Sequence, residues 1–361
     1  MKTIYNSILF ALLCNYGVAQ AATITVISSS DASLRGAITQ ANDGDIIQIP
    51  SGVIYLTAPL NITKNLTLSG TGTSLVALDG NSSHRVIAFS GNTLALNNLQ
   101  IQNGSNNDGL GGAGLLIQSG TVTISNSTFT GNNDVTGGGA IYNNGNLTIN
   151  RSTLFNNQSP TGAAILVGSA SNLAIYYSTL VNNVASAGGA ITNDGMLTTE
   201  GSIFYNPTDC SGTGIINSTG YNLQSGQTCT LLNNSLAPDY FNIQTSPVAS
   251  TLSNAGKTQI LVPDSAQSSI IDKAPSTCSG VDQIGTSVPQ NIRCDIGAVE
   301  VIVASTTTPT NNVNQGDDDE HENEDDDDGE GSSGTGSFNP VFFTLLLLLQ
   351  LALKRTKQFK L

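Results

Sequence analysis

Residues 137–158 read GGGAIYNNGNLTINRSTLFNNQ, and apolar side chains return at regular intervals within this mainly small and polar stretch. The triplet 147–149, Leu-Thr-Ile, alternates apolar and small side chains, which is typical of a strand with one buried face. No helical period is present, and Gly and Asn interrupt the pattern every few residues. The stretch therefore predicts several short strands joined by turns, a unit that cannot bury its apolar face alone.

The pattern recurs along the chain at nearly constant spacing. The apolar–small–apolar triplets lie at 66–68, 94–96, 122–124, 147–149, 173–175 and, in a weaker copy, 197–199. Two further apolar series keep the same spacing: Phe129, Leu154, Leu180 and Phe204, and then Leu116, Ile141, Ile165 and Ile191. Stacked units of this kind bury one continuous core, with neighbouring strands about 4.8 Å apart. We therefore predict an all-β fold, a right-handed parallel β-helix.

Asn132, Asn157 and Asn183 form another series, with steps of 25 and 26 residues. Asn tolerates the left-handed backbone of a sharp turn, and a stacked amide can bond the turn above it. We predict a ladder of these three side chains; the alternative is that they are exposed turn residues. The next member of the series would be Pro207, which has no N–H to donate, so we expect the regular stack to end there.

The two ends of the chain differ in composition from its middle. A charged start, an apolar stretch and small residues up to Ala21 predict a secretory signal peptide. The segment DASLRGAITQAN places Leu34, Ala37 and Ile38 on one face of a short helix, which we expect to cap the first coil. The resulting division is 1–22 signal peptide, 23–300 β-helix (31–42 capping helix, 66–207 regular coils, 208–300 irregular C-terminal coils and cap), 301–336 linker and 337–361 tail.

The cysteines that remain after signal removal are Cys210, Cys229, Cys278 and Cys294. In an exported chain, four cysteines favour disulfides, and three connectivities are open to them. Local pairing of the first with the second and of the third with the fourth is the simplest. A zinc site is the alternative, although the cysteines lack the close spacing of zinc ligands.

The tail combines an acidic linker with an apolar segment. Residues 317–330 hold eleven acids, which repel one another and keep a spacer extended. Calcium binding by this block is the alternative, although it lacks the fixed spacing of a calcium loop. Residues 338–353 are mainly apolar and four basic residues follow, which predicts a membrane segment with a cytoplasmic end. Cleavage near Gly334 and Gly336 would release the body from this segment.

Charge and residue types limit the chemistry. Without the acidic block and the two ends, the body carries fifteen acids and seven bases, a net charge of −8, so nucleic-acid binding is not expected. Hydrolysis of polysaccharides needs paired carboxylates. Asp108 and Asp134 are 26 residues apart, so we expect them on adjacent turns, close enough to share a proton or bind a cation such as calcium. The alternative is that both are turn acids.

Three stretches resemble known families. SLRGAITQAN, 33–42, is similar to the CSLREA signature of exported bacterial β-helix proteins, with Gly36 in place of its Glu. GGAI, 188–191, and FTGN, 129–132, resemble the repeats of polymorphic outer-membrane proteins. Segment 260–300 resembles the C-terminal module of choice-of-anchor surface proteins, and the tail is similar to Gly-rich sorting signals of Gram-negative bacteria. These resemblances imply a β-helix at the cell surface or outer membrane, and no defined activity.

These observations together predict a surface-anchored β-helix for display, adhesion or contact with glycans on a host or neighbouring cell. The tail makes the membrane a partner, no resident cofactor is expected, and no catalytic residue is assigned. The alternative is a polysaccharide lyase or glycoside hydrolase that acts on acidic polysaccharide.

Overall fold

The computed structural model describes residues 20–106, 108–230, 238–266 and 269–301. The signal peptide (except its last three residues), the linker beyond 301, the cleavage region at Gly334 and Gly336, and the apolar tail all lie outside the described residues. In the described part of the chain, no helix is long and apolar enough to cross a membrane.

One short helix and many short strands follow one another along the chain. In chain order they begin with β1 (Thr23–Thr25), α1 (Asp31–Gln40), β2 (Ile46–Ile49), β3 (Gly52–Tyr55), β4 (Leu60–Ile62), β5 (Leu66–Gly70), β6 (Val76–Asp79), β7 (Ile87–Phe89), β8 (Thr93–Asn97), β9 (Gln100–Gln102) and β10 (Ser105–Asn106). The middle of the chain contains β11 (Leu115–Ile117), β12 (Thr121–Ser125), β13 (Thr128–Thr130), β14 (Asn133–Asp134), β15 (Ile141–Asn143), β16 (Asn146–Asn150), β17 (Thr153–Phe155), β18 (Gln158–Ser159), β19 (Ile165–Val167), β20 (Asn172–Tyr176), β21 (Thr179–Val181) and β22 (Val184–Ala185). The remaining strands are β23 (Ile191–Asn193), β24 (Met196–Glu200), β25 (Ile203–Tyr205), β26 (Cys210–Ser211), β27 (Ile215–Gly220), β28 (Leu223–Gln224), β29 (Ser253–Asn254), β30 (Gln259–Ile260), β31 (Gly280–Val281) and β32 (Ser287–Val288).

The strands stack into a parallel β-solenoid of about seven turns, which confirms the predicted fold class. The long sheet has nine strands, β1-β2-β5-β8-β12-β16-β20-β24-β27. A second sheet, which we call the covered sheet because the C-terminal segment 238–301 lies over it, has eight strands, β3-β6-β9-β13-β17-β21-β25-β28. The third sheet has seven, β4-β7-β11-β15-β19-β23-β26, and the short sheet has four, β10-β14-β18-β22. All pairings within these four sheets are parallel, and each joins one turn to the next. Only two small hairpins, β29–β30 and β31–β32, are antiparallel in the described residues.

The apolar triplets of the sequence lie in the long sheet with their apolar side chains inward. Val122 pairs with Leu147, and Leu147 pairs with Leu173, so like residues stack on like residues. Each of these side chains is almost fully buried in one cluster that runs the length of the solenoid. The alternation read from the sequence is therefore the division between the core and the outer surface.

Helix α1 closes the N-terminal end of this core. It buries Leu34 and Ala37, and it begins after Ser30, whose hydroxyl accepts the Ser33 backbone N–H at 3.3 Å. The N-cap is thus Ser30. At the other end, Lys64 Nζ donates to the carbonyls of Ile38, Thr39 and Ala41 at 3.0, 2.8 and 2.6 Å, where a cation complements the helix dipole. Helix α1 ends at Gln40, two residues before the predicted limit at residue 42.

The predicted asparagine series is a buried ladder. Asn157 Oδ1 accepts Asn132 Nδ2 at 2.9 Å, and Asn157 Nδ2 donates to Asn183 Oδ1 at 2.8 Å and to the carbonyl of Phe129 at 3.1 Å. The three side chains are at most 1% exposed. Asn206 extends the ladder by accepting the Asn183 backbone N–H at 2.8 Å.

The left-handed backbone, however, belongs to the residue that precedes each ladder asparagine. Gly131, Asn156 and Asn182 have φ of 65°, 54° and 55°, whereas the ladder residues are absent from the positive-φ set. The left-handed residue bends the chain, and the next side chain then points inward. The expectation that the ladder asparagines themselves are left-handed was wrong.

A second ladder, of serines, follows the same rule at another corner. Ser127 N–H donates to Ser152 Oγ at 3.1 Å, Ser152 N–H to Ser178 Oγ at 3.2 Å, and Ser178 N–H to Ser202 Oγ at 3.2 Å. The preceding residues are left-handed: Asn126, Arg151, Tyr177 and Gly201. These serines recur with steps of 25, 26 and 24 residues, a signal that the sequence contained and that our reading of it did not use.

The stack continues beyond Pro207, contrary to expectation. Strands β26, β27 and β28 add one further turn to the third, long and covered sheets, and only the short sheet ends earlier, at β22. Pro207 is tolerated because Asn206 occupies the ladder position in its place. Asp209 holds the Asn206 side chain there, since Asn206 Nδ2 donates to Asp209 Oδ1 at 3.0 Å. The 66–207 boundary is therefore one turn too short.

The two disulfides join Cys210 to Cys229 and Cys278 to Cys294. The first links β26 of the last turn to the loop that follows it. The second lies in the C-terminal segment, 238–301, and contributes to a second apolar cluster. With all four sulfurs in disulfides, the zinc alternative is not supported.

The C-terminal segment covers the outer side of the covered sheet. Lys257 accepts the Val76 N–H at 2.9 Å near the beginning of that sheet, and the Ala298 N–H donates to Thr179 Oγ1 at 3.0 Å near its end. Between them, Gln283 Nε2 donates to Thr128 Oγ1 at 2.7 Å. Phe155 and Val181, which point outward from the sheet, pack into the second cluster. The segment thus runs back along the side of the solenoid, in addition to extending its last turn.

Replacement of Asn157 by Leu tests the ladder. The change removes the acceptor of Asn132 and the donor to Asn183, and each unpaired buried group costs about 1–3 kcal/mol. We expect the free energy of unfolding to fall by roughly 2–4 kcal/mol in urea titrations. Asn133→Leu is the control, because Asn133 directly follows the ladder residue Asn132 but is exposed. Equal stability of the two variants would contradict a structural role for the ladder.

Candidate functional site

The predicted acid pair lies at the edge of the short sheet, but its two members are not equivalent. Asp134 in β14 pairs with Asn106 in β10, not with Asp108. From Asn106 to the left-handed Gly112 the chain advances six residues, whereas from Asp134 to the equivalent Gly138 it advances four. The extra two residues place Asp108 in a loop beyond the strand, so the expectation of matching positions on adjacent turns was wrong.

Arg85 holds this loop. Its guanidinium donates to Asp108 Oδ2 at 2.7 Å and to Oδ1 at 3.0 Å, a two-pronged ion pair. Its Nε and Nη2 donate further to the carbonyls of Gly112 at 3.0 Å and Gly111 at 2.7 Å. The Arg85 side chain is 5% exposed and its bonds to the two carbonyls are buried, whereas the Asp108 side chain is 43% exposed. They fasten the glycine-rich loop to the turn below it.

Asn106 connects the two acids. Its Nδ2 lies 2.7 Å from Asp108 Oδ1 and 3.2 Å from Asp134 Oδ2, so an amide, and not a shared proton, stands between the carboxylates. Asp134 also accepts the N–H groups of Thr136 at 2.7 Å and Gly137 at 3.0 Å. Both carboxylates are therefore engaged with donors of the protein itself.

The electrostatics of the two acids differ in direction. The hydrogen bonds from Arg85 hold the pKa of Asp108 well below its usual range. Burial raises the pKa of Asp134, and the two backbone N–H groups only partly offset that rise. In this arrangement the ion pair and the hydrogen bonds hold the loop in place. Among the residues described, no three metal-ligating side chains come together, and the geometry adds no support to the calcium alternative.

A second group of acids, which the sequence reading missed, lies in the C-terminal segment. Asp282, Asp295 and Glu300 are 1%, 3% and 5% exposed. Asp295 accepts the N–H groups of Asp272 at 2.8 Å and Val301 at 2.7 Å. Such acids, buried and bonded to backbone donors, organise loops and do not reach a polymer outside. The position of Asp295 and Glu300 in CDIGAVE, 294–300, offered a signal, since charged residues are rare elsewhere in the body.

The outer side of the long sheet offers a different kind of surface, which we call the long face. It consists of the outward side chains of β1, β2, β5, β8, β12, β16, β20, β24 and β27. Its middle row contains Thr67, Ala95, Thr123, Thr148, Ala174 and Thr198. One flanking row contains Thr93, Thr121, Asn146, Asn172 and Met196, and the other contains Asn97, Ser125, Asn150, Tyr176 and Glu200.

The long face is open and almost uncharged. Thr121, Thr123, Asn146 and Asn172 are exposed, and no described segment covers them as the C-terminal segment covers the neighbouring sheet. Within the described strands of this face, Glu200 is the one ionisable carboxylate. Asn172 Nδ2 donates to Asn146 Oδ1 at 2.7 Å, so even exposed amides align along the stack. The result is a flat array of hydroxyl and amide groups.

Comparison with known proteins leaves these surfaces to be interpreted from their own chemistry. No protein-family model matches the sequence, and the search of curated proteins returned no significant match.

The pH dependence of stability tests the structural role of the buried acids. Burial raises the pKa of Asp295 to about 6, above the ordinary value of 3.8. A raised folded-state pKa means that its stabilising contribution is complete below about pH 4 and is lost as the pH rises through about 6. Asp295→Asn should remove this part of the pH dependence, which amounts to about 3 kcal/mol.

Urea unfolding between pH 4 and pH 7 measures the effect. Wild-type protein should lose stability relative to the Asp295→Asn variant as the pH rises through this range. Parallel curves for the two proteins would mean that Asp295 does not titrate in this way.

Proposed function

We propose that this protein is an exported surface protein that binds a neutral polymeric glycan through the long face and catalyses no reaction. The observation that carries the proposal is the composition of that face, on which uncovered Thr, Asn and Ser side chains outnumber the apolar ones, Ile46, Ala95, Ala174, Met196 and Ile215. Hydroxyl and amide groups both donate and accept hydrogen bonds, as the hydroxyl groups of a neutral sugar require.

The dimensions of the long face favour a polymer over a single sugar. Its nine strands leave eight gaps of about 4.8 Å, so the array extends over about 38 Å. Thr, Asn or Ser occupies most positions of the three rows, which suits a chain that presents hydroxyl groups at each repeat. Because the array is flat, it can contact such a chain along its length without enclosing it.

Charge argues against an acidic polymer on this face. Its one carboxylate, Glu200, would repel acidic sugars, and the body of the protein has a net charge of −8 between residues 23 and 315. Like charges over such a surface slow association and weaken binding. A neutral glycan avoids this repulsion.

Among the described residues, the arrangement of the predicted acid pair does not favour the enzyme alternative. Asp108 is paired with Arg85, and Asp134 is bonded to backbone N–H groups. General acid–base catalysis needs carboxylates that reach the substrate. Release of shorter or unsaturated sugars from an acidic polysaccharide by the purified protein would nevertheless decide for a hydrolase or lyase.

Affinity electrophoresis through gels that contain neutral or acidic polysaccharides tests the proposal. The double variant Thr123→Arg/Thr148→Arg adds two bulky cations at adjacent positions of the middle row, where Thr123 is exposed, Thr148 is half-buried and both side chains point away from the core. We expect wild-type protein to be retarded by at least one neutral polysaccharide, and the variant to lose at least tenfold in affinity for it.

The control is Thr136→Arg, because Thr136 is an exposed threonine in the loop after β14, away from the long face. It should retain wild-type affinity. Equal retardation of all three proteins, or retardation of none of them by any neutral polysaccharide, would contradict the proposal.

The cellular placement is a proposal of the same kind. Disulfides are typical of oxidising, extracytoplasmic compartments, which favours export. The resemblances to CSLREA and choice-of-anchor proteins suggest the surface of a Gram-negative cell, with residues 1–22 as signal peptide and 337–361 as membrane anchor. Such an arrangement would present the long face to glycans outside the cell.

Fractionation of cells that carry the full-length protein and a form that ends at residue 336 tests this placement. The shorter form should be recovered in the soluble fraction with unchanged thermal stability, since it keeps every residue of the two apolar clusters. If both forms stay equally membrane-associated, residues 337–361 are not the anchor.

A further inference from the structure

We propose that a groove between the solenoid and the C-terminal segment binds an acidic sugar, meaning a monosaccharide residue that carries a carboxylate. The groove has a volume of about 500 Å³, within the range of small-molecule sites. It does not include the middle row of the long face, and the proposal does not depend on glycan binding there.

One wall of the groove is a corner of the solenoid. Asn98 and Asn126 line it, and both lie in the left-handed conformation, with φ of 56° and 51°. They occupy the same corner on successive turns, because the preceding residues, Asn97 and Ser125, pair in the long sheet. Their side chains make no hydrogen bond with the described residues, so two amides remain available for the hydroxyl groups of a ligand.

The opposite wall is the hairpin β31–β32 of the C-terminal segment. Val281 and Ile284 line the groove and are 42% and 41% exposed, which offers an apolar surface to the C–H face of a sugar ring. Glycines complete the walls, and Gly256 and Gly285 have φ of 92° and 93°, positions at which a side chain would be strained. The backbone is thus left accessible to a ligand.

This wall is held in place before any ligand arrives. The Asp282 carboxylate accepts the N–H groups of Ile284 at 3.0 Å and Thr286 at 2.7 Å, which fixes the turn of the hairpin. Gln283 is 4% exposed and accepts Thr153 Oγ1 at 2.6 Å, which ties the hairpin to the solenoid. A fixed wall reduces the entropy that a ligand must offset on binding.

The charge of the groove favours a carboxylate. Lys257 is the one charged residue among those that line it, in a body where acids outnumber bases fifteen to seven. In the described part of the chain, no acid lies within ion-pair distance of its ammonium group. A cation without a partner, beside two free amides and an apolar strip, matches a sugar that has one carboxylate, several hydroxyl groups and one apolar face.

Isothermal titration with glucuronate, glucose, acetate and inorganic phosphate tests the assignment on the full-length protein. We expect glucuronate to bind at least tenfold more tightly than each of the other three. Equal affinity for acetate or phosphate would indicate simple anion binding and would overturn the proposal, as would the absence of glucuronate binding. NMR should place the largest glucuronate-induced shifts at the backbone amides of residues 281–285.

Two variants, each with a matched control, test the named side chains. Lys257→Met should weaken glucuronate binding at least tenfold, whereas Lys273→Met, at a half-buried lysine that does not line the groove, should not. Asn126→Gly removes one amide while keeping a residue that adopts positive φ freely, and should weaken binding about threefold or more.

Asn156→Gly is the control for the asparagine variant, because Asn156 has a similar φ of 54° and lies at another corner. It should bind glucuronate as the wild type does. Undiminished binding by both Lys257→Met and Asn126→Gly would overturn the assignment. Urea unfolding of each variant separates lost binding from lost structure.

Discussion

The structure depends on the in-register stacking of one turn on the next. At about 4.8 Å between strands, the backbone at each corner brings N–H and C=O groups into the interior, where water cannot satisfy them. The asparagine and serine ladders satisfy these groups by bonding each turn to its neighbours. A shift of a single residue between turns would break both ladders and also turn the apolar triplets outward. Polar and apolar columns therefore specify the same register.

The corners explain why the sequence is rich in glycine and asparagine. Each residue of the serine ladder, and each of Asn132, Asn157 and Asn183, follows a left-handed residue, and only Gly and Asn adopt that conformation at little cost. Arg151 and Tyr177 are the exceptions in these ladders, with φ of 47° and 46°. The Arg151 guanidinium stacks on the Tyr177 ring beside the C-terminal segment, with its Cζ 4.9 Å from the ring centroid. Contacts with that segment offset the local strain. The rules of the regular turns are thus relaxed where another part of the chain supports the corner.

The C-terminal segment decides which surfaces remain for function. Among the described residues, it covers the outer side of one sheet and leaves the long face open, and that face carries a single carboxylate, Glu200. The acids that the structure brings together serve loops, because Arg85, Asn106 and backbone N–H groups already occupy their oxygens. The groove that Lys257 lines lies at a corner next to the same face.

The sequence by itself determined the repeat, the strands, the inward and outward alternation, and the column of Asn132, Asn157 and Asn183. These features are visible because each turn repeats the same local problem, so the same residue types recur at the same spacing. Local pairing of the cysteines was the simplest of three connectivities that the sequence left open, and the structure shows that pairing. Only the tertiary structure decided that Arg85 fastens Asp108, that Asp134 pairs with Asn106, and that Gln283 bonds Thr128. These contacts join residues from segments that share no period, because a loop of two extra residues and a segment folded back along the solenoid obey packing and burial, not the repeat. For the same reason the open long face and the Lys257 groove emerge only when the C-terminal segment is in place.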